Sequence, residues 1–277
     1  MNDIVDLGEY RGRRRAGLFT LADLPVRDSV ESIALGCGWP ELDGIWKIYP
    51  GQFTVATGIA GHGKSTFLLN VVCRLARQHG LRSLLYVPEN EMHLRDKMRR
   101  IWNSDEASFK EFCERCFIQS SSPDNYAGEA QDLPWLLDKA AGVIDFTGID
   151  LLLIDPWNEI EHLKPRDLSM TDYIRDALMF IKTFARKSGI AVILVVHPTK
   201  AVFDNGKARV PSLADCEGSM SWYNKADNGL IIYRDLEAQN TRVISAKVRE
   251  RGAGHVGVCY FMFDELTENY TPLPRVP

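Results

Sequence analysis

The stretch Gly58-Ile-Ala-Gly-His-Gly-Lys64-Ser65-Thr66 constrains this chain more than any other. It reads G-x-x-x-x-G-K-[ST], a phosphate-binding loop, a pattern that functions between a strand and a helix. Both neighbours are present. Phe53 to Thr57 is a short apolar and β-branched run, and after the loop Phe67, Leu68, Val71, Val72 and Leu75 share one helical face. The glycines let the backbone curl so that its N–H groups and the helix N-terminus point at phosphate oxygens. Gly58, Gly61, His62, Gly63, Lys64, Ser65 and Thr66 are therefore the expected nucleotide-binding residues. Lys64 carries charge to the β/γ-phosphates, and the Ser65 hydroxyl is a ligand for Mg²⁺. The plain alternative, a glycine-rich turn without a ligand, does not account for the strand before and the helix after. The expected cofactors are ATP or another nucleoside triphosphate, with Mg²⁺.

At 277 residues the chain suits one large α/β domain with a small extension. No apolar run reaches the ~18 residues of a membrane span, and the first 17 residues lack the apolar core of a secretory signal. No membrane partner is expected, and a cytoplasmic setting, in a bacterium or a phage-infected host, is. The net charge of −4 is unlike a protein that coats nucleic acid, so such contacts must be local, in a groove or channel. Six cysteines are scattered, at 37, 73, 113, 116, 216 and 259, and suggest no disulfide framework. Cys113 and Cys116 lack the second ligand pair of a zinc site; a helix over 107–116 would put both on one face.

Residues 1–30, with Arg11, Arg13, Arg14 and Arg15, read equally as an arm or linker and as a solvated tail. The domain proper is expected over 31–270, followed by a loose, proline-rich tail at 271–277. Leu81–Val87, Ile149–Ile154 and Ala191–Val196 are apolar strands, and 92–102, 133–143 and 171–187 are helices between them. Continuous apolar strands separated by helices imply a mostly parallel sheet covered on both faces. From residue 228 the strands come close together, over 229–233, 242–248 and 256–263, which predicts an antiparallel C-terminal edge extension.

Ligands of parallel α/β sheets collect at the carboxyl ends of strands. Asp155 ends the run Leu151-Leu-Leu-Ile154 and is placed to hold Mg²⁺ opposite Ser65. Glu89 ends the strand after the loop helix, where a carboxylate can polarise the attacking water; Glu91 competes for that role. His197 ends the next strand and can bond a γ-phosphate. Lys247, Arg249 and Arg251 alternate on a late β-element. They read equally as a finger reaching a neighbouring subunit's nucleotide and as a solvated, aggregation-guarding edge.

Taken together, GWPELDGIWKIYPGQFTVATGIAGHGKST, VPENE, LLLIDPWNEIEH, VVHPTK, GSMSWYNKADNGLIIYRD and KVRERG resemble the helicase domain of the DnaB/Twinkle group of RecA-like ring motors, nearest its Twinkle and phage branch. The likeness runs from about Gly38 to Phe263. It implies a RecA-like P-loop NTPase in which Lys64, Ser65 and Asp155 serve ATP·Mg²⁺ and Glu89 is the catalytic base. His197 becomes the γ-phosphate sensor, Asn224 falls near a further polar sensor, and Arg249 is the finger given to the adjacent subunit, with Lys247 beside it. The loops after Asp155 and His197 would line a channel for single-stranded DNA, contacting phosphates through Lys164, Arg166, Lys200, Lys207 and Arg209. The segment before the motor is short for the linker helix with which ring-forming relatives pack on a neighbour. The expectation is an ATP-dependent DNA helicase or translocase acting in DNA replication as a homo-oligomeric, hexameric ring, with other replication proteins as further partners. Two alternatives stand beside it: a RecA-fold ATPase that remodels DNA without unwinding, and a nucleotide-gated oligomeric scaffold that does not bind DNA.

Overall fold

The computed structural model describes residues 21–23, 26, 28–122, 129–204, 207–216, 218, 220–274. The arginines at 11–15 and most of the expected arm lie outside the described residues.

β1 (Phe53–Thr57) leads through the glycine loop into α3 (Lys64–His79), after two short helices, α1 (Val30–Ile33) and α2 (Pro40–Asp43). β2 (Ser83–Tyr86), α4 (Leu94–Trp102), α5 (Glu106–Cys113) and β3 (Cys116–Ile118) follow, then α6 (Leu133–Thr147), β4 (Leu151–Ile154), α7 (Met170–Ser188) and β5 (Ala191–Val196). A small hairpin, β6 (Phe203–Asp204) and β7 (Lys207–Ala208), and α8 (Ser221–Lys225) lead to β8 (Asn228–Asp235), β9 (Asn240–Val248), β10 (Gly257–Asp264) and β11 (Asn269–Leu273).

The main sheet has nine strands in the order β11-β10-β9-β8-β1-β5-β4-β2-β3. The strands from β8 to β3 are mutually parallel, and β9, β10 and β11 are antiparallel additions. The period-two alternation of the central strands supplies two cores. Ala56, Leu151, Leu153, Ile193 and Val195 pack on the side of α3, α4 and α5. Val55, Leu152, Ile154, Val192, Leu194 and Val196 pack on the side of α6, α7 and α8. All four residues of β4 and all six of β5 are buried, as continuous apolar runs require.

Three expectations need correction. β8 is not part of the antiparallel extension: Thr54 to Thr57 pair with Asn228 to Ile231 in parallel, so the extension starts at β9. The helix expected over 107–116 stops at Cys113, and Cys116 opens β3 beside β2. Cys113 and Cys116 therefore sit on different elements, both packed against the α3-side core. The tail at 271–277 is not loose at its start, because Thr271, Pro272 and Leu273 pair with β10. Pro272 is tolerated there since β11 is the sheet's edge and one of its sides needs no ladder donor. No described helix is long and apolar enough to cross a membrane.

Candidate nucleotide site

The glycine loop leaves β1 in backbone conformations that side chains resist. Gly58 has φ 157°, and a Cβ there would stand 2.0 Å from the Ile232 carbonyl oxygen. Gly63, the residue that caps α3, has φ 83° and would press a Cβ to 2.5 Å from the Tyr270 hydroxyl. The loop is thus squeezed between β1 and the far end of β8. The Arg234 N–H donates to His62 Nδ1 at 3.2 Å, and the Tyr270 hydroxyl donates to the Gly63 carbonyl at 3.3 Å. The Arg234 guanidinium lies over the Phe263 ring, 4.3 Å from its centroid. Sequence reasoning missed Arg234, Phe263 and Tyr270. A signal exists for Arg234 alone: it is next to last in β8, at the carboxyl end of a strand parallel to β1, although the sequence reads that strand as antiparallel edge.

Lys64 is buried, and its Nζ donates to the Ile59 carbonyl at 3.1 Å across the loop. Burial lowers its pKa, while Asp155 and Glu89 pull it back up. Asp155 is buried at the end of β4, and burial raises its pKa against the opposing hydrogen bond of Ser65 and the charge of Lys64. Its Oδ2 is buried with no hydrogen-bond partner among the described residues. An orphaned carboxylate oxygen beside a serine hydroxyl is a hard-oxygen donor pair, which fits Mg²⁺, and Lys64 adds a charge for phosphate. Thr66 is buried in the first turn of α3, behind the cradle.

Glu89 and Glu91 share a 3₁₀ segment, Pro88–His93, and the structure separates them. Glu91 is engaged: both Ser120 and Ser121 hydroxyls donate to it, and the Ser121 N–H donates at 2.9 Å. Burial raises the Glu91 pKa, but these hydrogen bonds outweigh it and hold the group below the usual carboxylate range. Glu89 is exposed, and its charge acts on both Lys64 and Asp155. His197 follows β5 with Nδ1 buried and unpartnered among the described residues. Burial, then the charge of Lys64, pushes its pKa down to about 4, so the imidazole is neutral at pH 7.

Over 263 residues the chain is 29% identical to the Twinkle homolog protein, chloroplastic/mitochondrial, of Arabidopsis thaliana, covering 87% of this chain and 36% of that protein. The chain therefore spans about a third of the length of the curated relative it matches. It superposes on the ATPase domain of G40P with a TM-score of 0.63 at 19% identity, over 82% of this chain and 86% of that one. A DnaB-like replicative helicase, solved in a study of its interactions with primase, matches with a TM-score of 0.65 at 19% identity, over 82% of this chain and 58% of that one. No family model matches. The fold is that of these two solved ATPase and helicase structures.

Within this DnaB-like fold the remaining expected residues fall away from the glycine loop. Val248 pairs with Asn228, which stands opposite Thr54 near the start of β1. Arg249 is one residue further from the loop, so about 17 Å of strand, five residues at ~3.3 Å each, separates it from Gly58. That is longer than an arginine side chain. Asn224 lies at the same far end, exposed on α8; it does not join its own chain's glycine loop, because α8 enters β8 at its opposite end. Lys247 is committed locally: its Nζ donates to the Tyr223 and Asn224 carbonyls, a cation satisfying a helix C-terminus.

The five basic residues expected on the channel loops divide in the same way. Lys164 Nζ donates to the Leu168 carbonyl at 2.7 Å and the Pro165 carbonyl at 3.1 Å, folding the loop after β4 on itself. Arg209 makes a two-pronged ion pair with Asp215, which braces the return from the β6–β7 hairpin. Arg166 and Lys200 are exposed and have no ion pair among the described residues, and Lys207 opens β7.

Proposed function

We infer that the chain is the motor of an ATP-dependent DNA helicase or translocase whose subunits hydrolyse ATP at shared interfaces in a hexameric ring. One observation carries this reading. Lys64, Ser65, Asp155, Glu89 and His197 gather at the carboxyl edge of the sheet, while Arg249 stands at the other end, beyond reach of that edge. With Arg249 out of reach of its own glycine loop, a second copy is what brings that arginine to the site. When bound, Mg²⁺ would be held by Ser65 and Asp155 and would neutralise phosphate charge. Glu89, open to water and beside Lys64, accepts the proton of the attacking water. The neutral His197 donates a hydrogen bond to a terminal phosphate oxygen without adding charge. Arg166 and Lys200 are the basic residues best disposed to meet DNA phosphates.

The test is ATP hydrolysis with and without single-stranded DNA, with Lys64→Ala as the blank. A rise of several-fold with DNA, weakening as salt increases, is expected. Hydrolysis indifferent to DNA across salt concentrations would instead favour the nucleotide-gated scaffold. That second reading has an observation of its own, since Lys164 and Arg209 are both engaged within the chain.

A further inference from the structure

Asp227 immediately precedes β8 and is 2% exposed, yet its carboxylate is crowded with cations. Oδ1 stands 2.6 Å from Lys182 Nζ, 2.8 Å from Arg249 Nε and 3.5 Å from an Arg186 terminal nitrogen. Oδ2 accepts the Phe53 N–H at 3.2 Å, and the Asp227 N–H donates to the Phe53 carbonyl at 2.8 Å. One buried carboxylate thus joins the first residue of β1, the middle of α7 and the segment after β9. A buried charge is tolerated only when paired and hydrogen-bonded, and this one is. The neighbourhood stays electropositive, because Lys182, Arg186, Lys247 and Arg249 outnumber the carboxylates of Asp227 and Glu250.

The contact to Arg249 uses Nε. No hydrogen bond engages Nη1 or Nη2 among the described residues, and the side chain is 42% exposed. The Arg249 N–H also faces Asn228 Oδ1, at 3.4 Å. The ion pair anchors the guanidinium by its Nε edge and leaves the Nη fork on the open side. That fork is the part that binds a phosphate in a two-pronged way. We propose that Asp227 is the positioning residue for Arg249, holding its guanidinium by Nε so that the Nη fork faces the nucleotide of a neighbouring copy. The inference rests on the assignment of Arg249 to a neighbour's site. Lys182 and Arg186 share the carboxylate, which keeps Asp227 from neutralising the fork it orients.

Mixed assemblies separate the two claims. Arg249→Ala supplies an intact glycine loop without the arginine, and Lys64→Ala supplies the arginine without a working loop. Equal mixtures of these inactive variants regain ATP hydrolysis if Arg249 acts across the interface. No recovery would overturn that assignment, and the proposal with it. With recovery established, the Lys64→Ala partner is replaced by Lys64→Ala/Asp227→Asn. A loss of about tenfold or more is expected, since a misaimed arginine loses transition-state contact; undiminished recovery overturns the proposal. A fluorescent ATP analogue reports whether Asp227→Asn leaves nucleotide binding at its own loop intact. If Asp227→Asn weakens the fold, the same comparison made with Arg249→Lys, which has neither the Nε anchor nor the Nη fork, decides. Asp227→Asn should then cost nothing further, whereas an equal loss in both backgrounds means Asp227 is structural only.

Discussion

His197 shows how one environment sets both the charge and the role of a side chain. Its pKa is pushed from 6.5 to about 4 by burial and by Lys64, so it enters the site as a neutral donor. The shift is also a statement about stability. Between those two values the unfolded chain binds the proton and the folded chain does not, so stability is full above about pH 6.5 and is lost as pH falls toward 4. Urea midpoints of the wild type and His197→Gln, compared at about pH 7.5 and about pH 5, should therefore converge or cross at the lower pH. A constant gap between the two would mean that His197 titrates normally. At the same scale, the position of His197 at a strand end was legible in the sequence, because an apolar run that stops at a polar residue is a local pattern. Its neutrality was not legible, since that comes from packing beside Lys64.

Elements decide what single residues leave open. Glu89 and Glu91 are two residues apart, and nothing in VPENE distinguishes them. The 3₁₀ segment turns Glu91 onto Ser120 and Ser121, at the end of β3, and leaves Glu89 beside the glycine loop. Glu89→Gln should reduce hydrolysis by roughly a hundredfold or more with nucleotide binding kept, as expected for loss of a general base. Glu91→Gln should lower stability by about 1–3 kcal/mol through the clasp to the serines, with much less effect on turnover of the folded protein. Equal losses of turnover in the two variants would refute the distinction. Ser120 and Ser121 read in the sequence only as a polar break, and β3, the strand that brings them there, begins on the last residue of an expected helix. A three-residue strand carries too little periodicity to compete with the helical pattern before it.

At the scale of the whole molecule, the polarity of the sheet is what separates the glycine loop from Arg249. Parallel strands collect the glycine loop, Asp155, Glu89 and His197 at one edge, and the return of β9 beside β8 leaves Arg249 at the other. On the proposed reading the site works only in an assembly. Specific ATPase activity of the wild type should therefore fall on dilution as subunits separate, and Arg249→Ala should be low at every concentration. Activity that survives dilution to the monomer would show the site complete within one chain. The sequence by itself determined the strand-loop-helix around Lys64, the apolar strands and the acidic and histidine strand ends. These depend on contiguous residues, on glycine backbone freedom and on runs long enough to read. Only the tertiary structure decided that β8 runs parallel to β1, that Arg234 and Tyr270 close on the glycine loop, and that Asp227 grips Arg249. Those outcomes depend on partners as far apart as Tyr270 and Gly63, 207 residues in sequence, which meet only when the sheet is assembled.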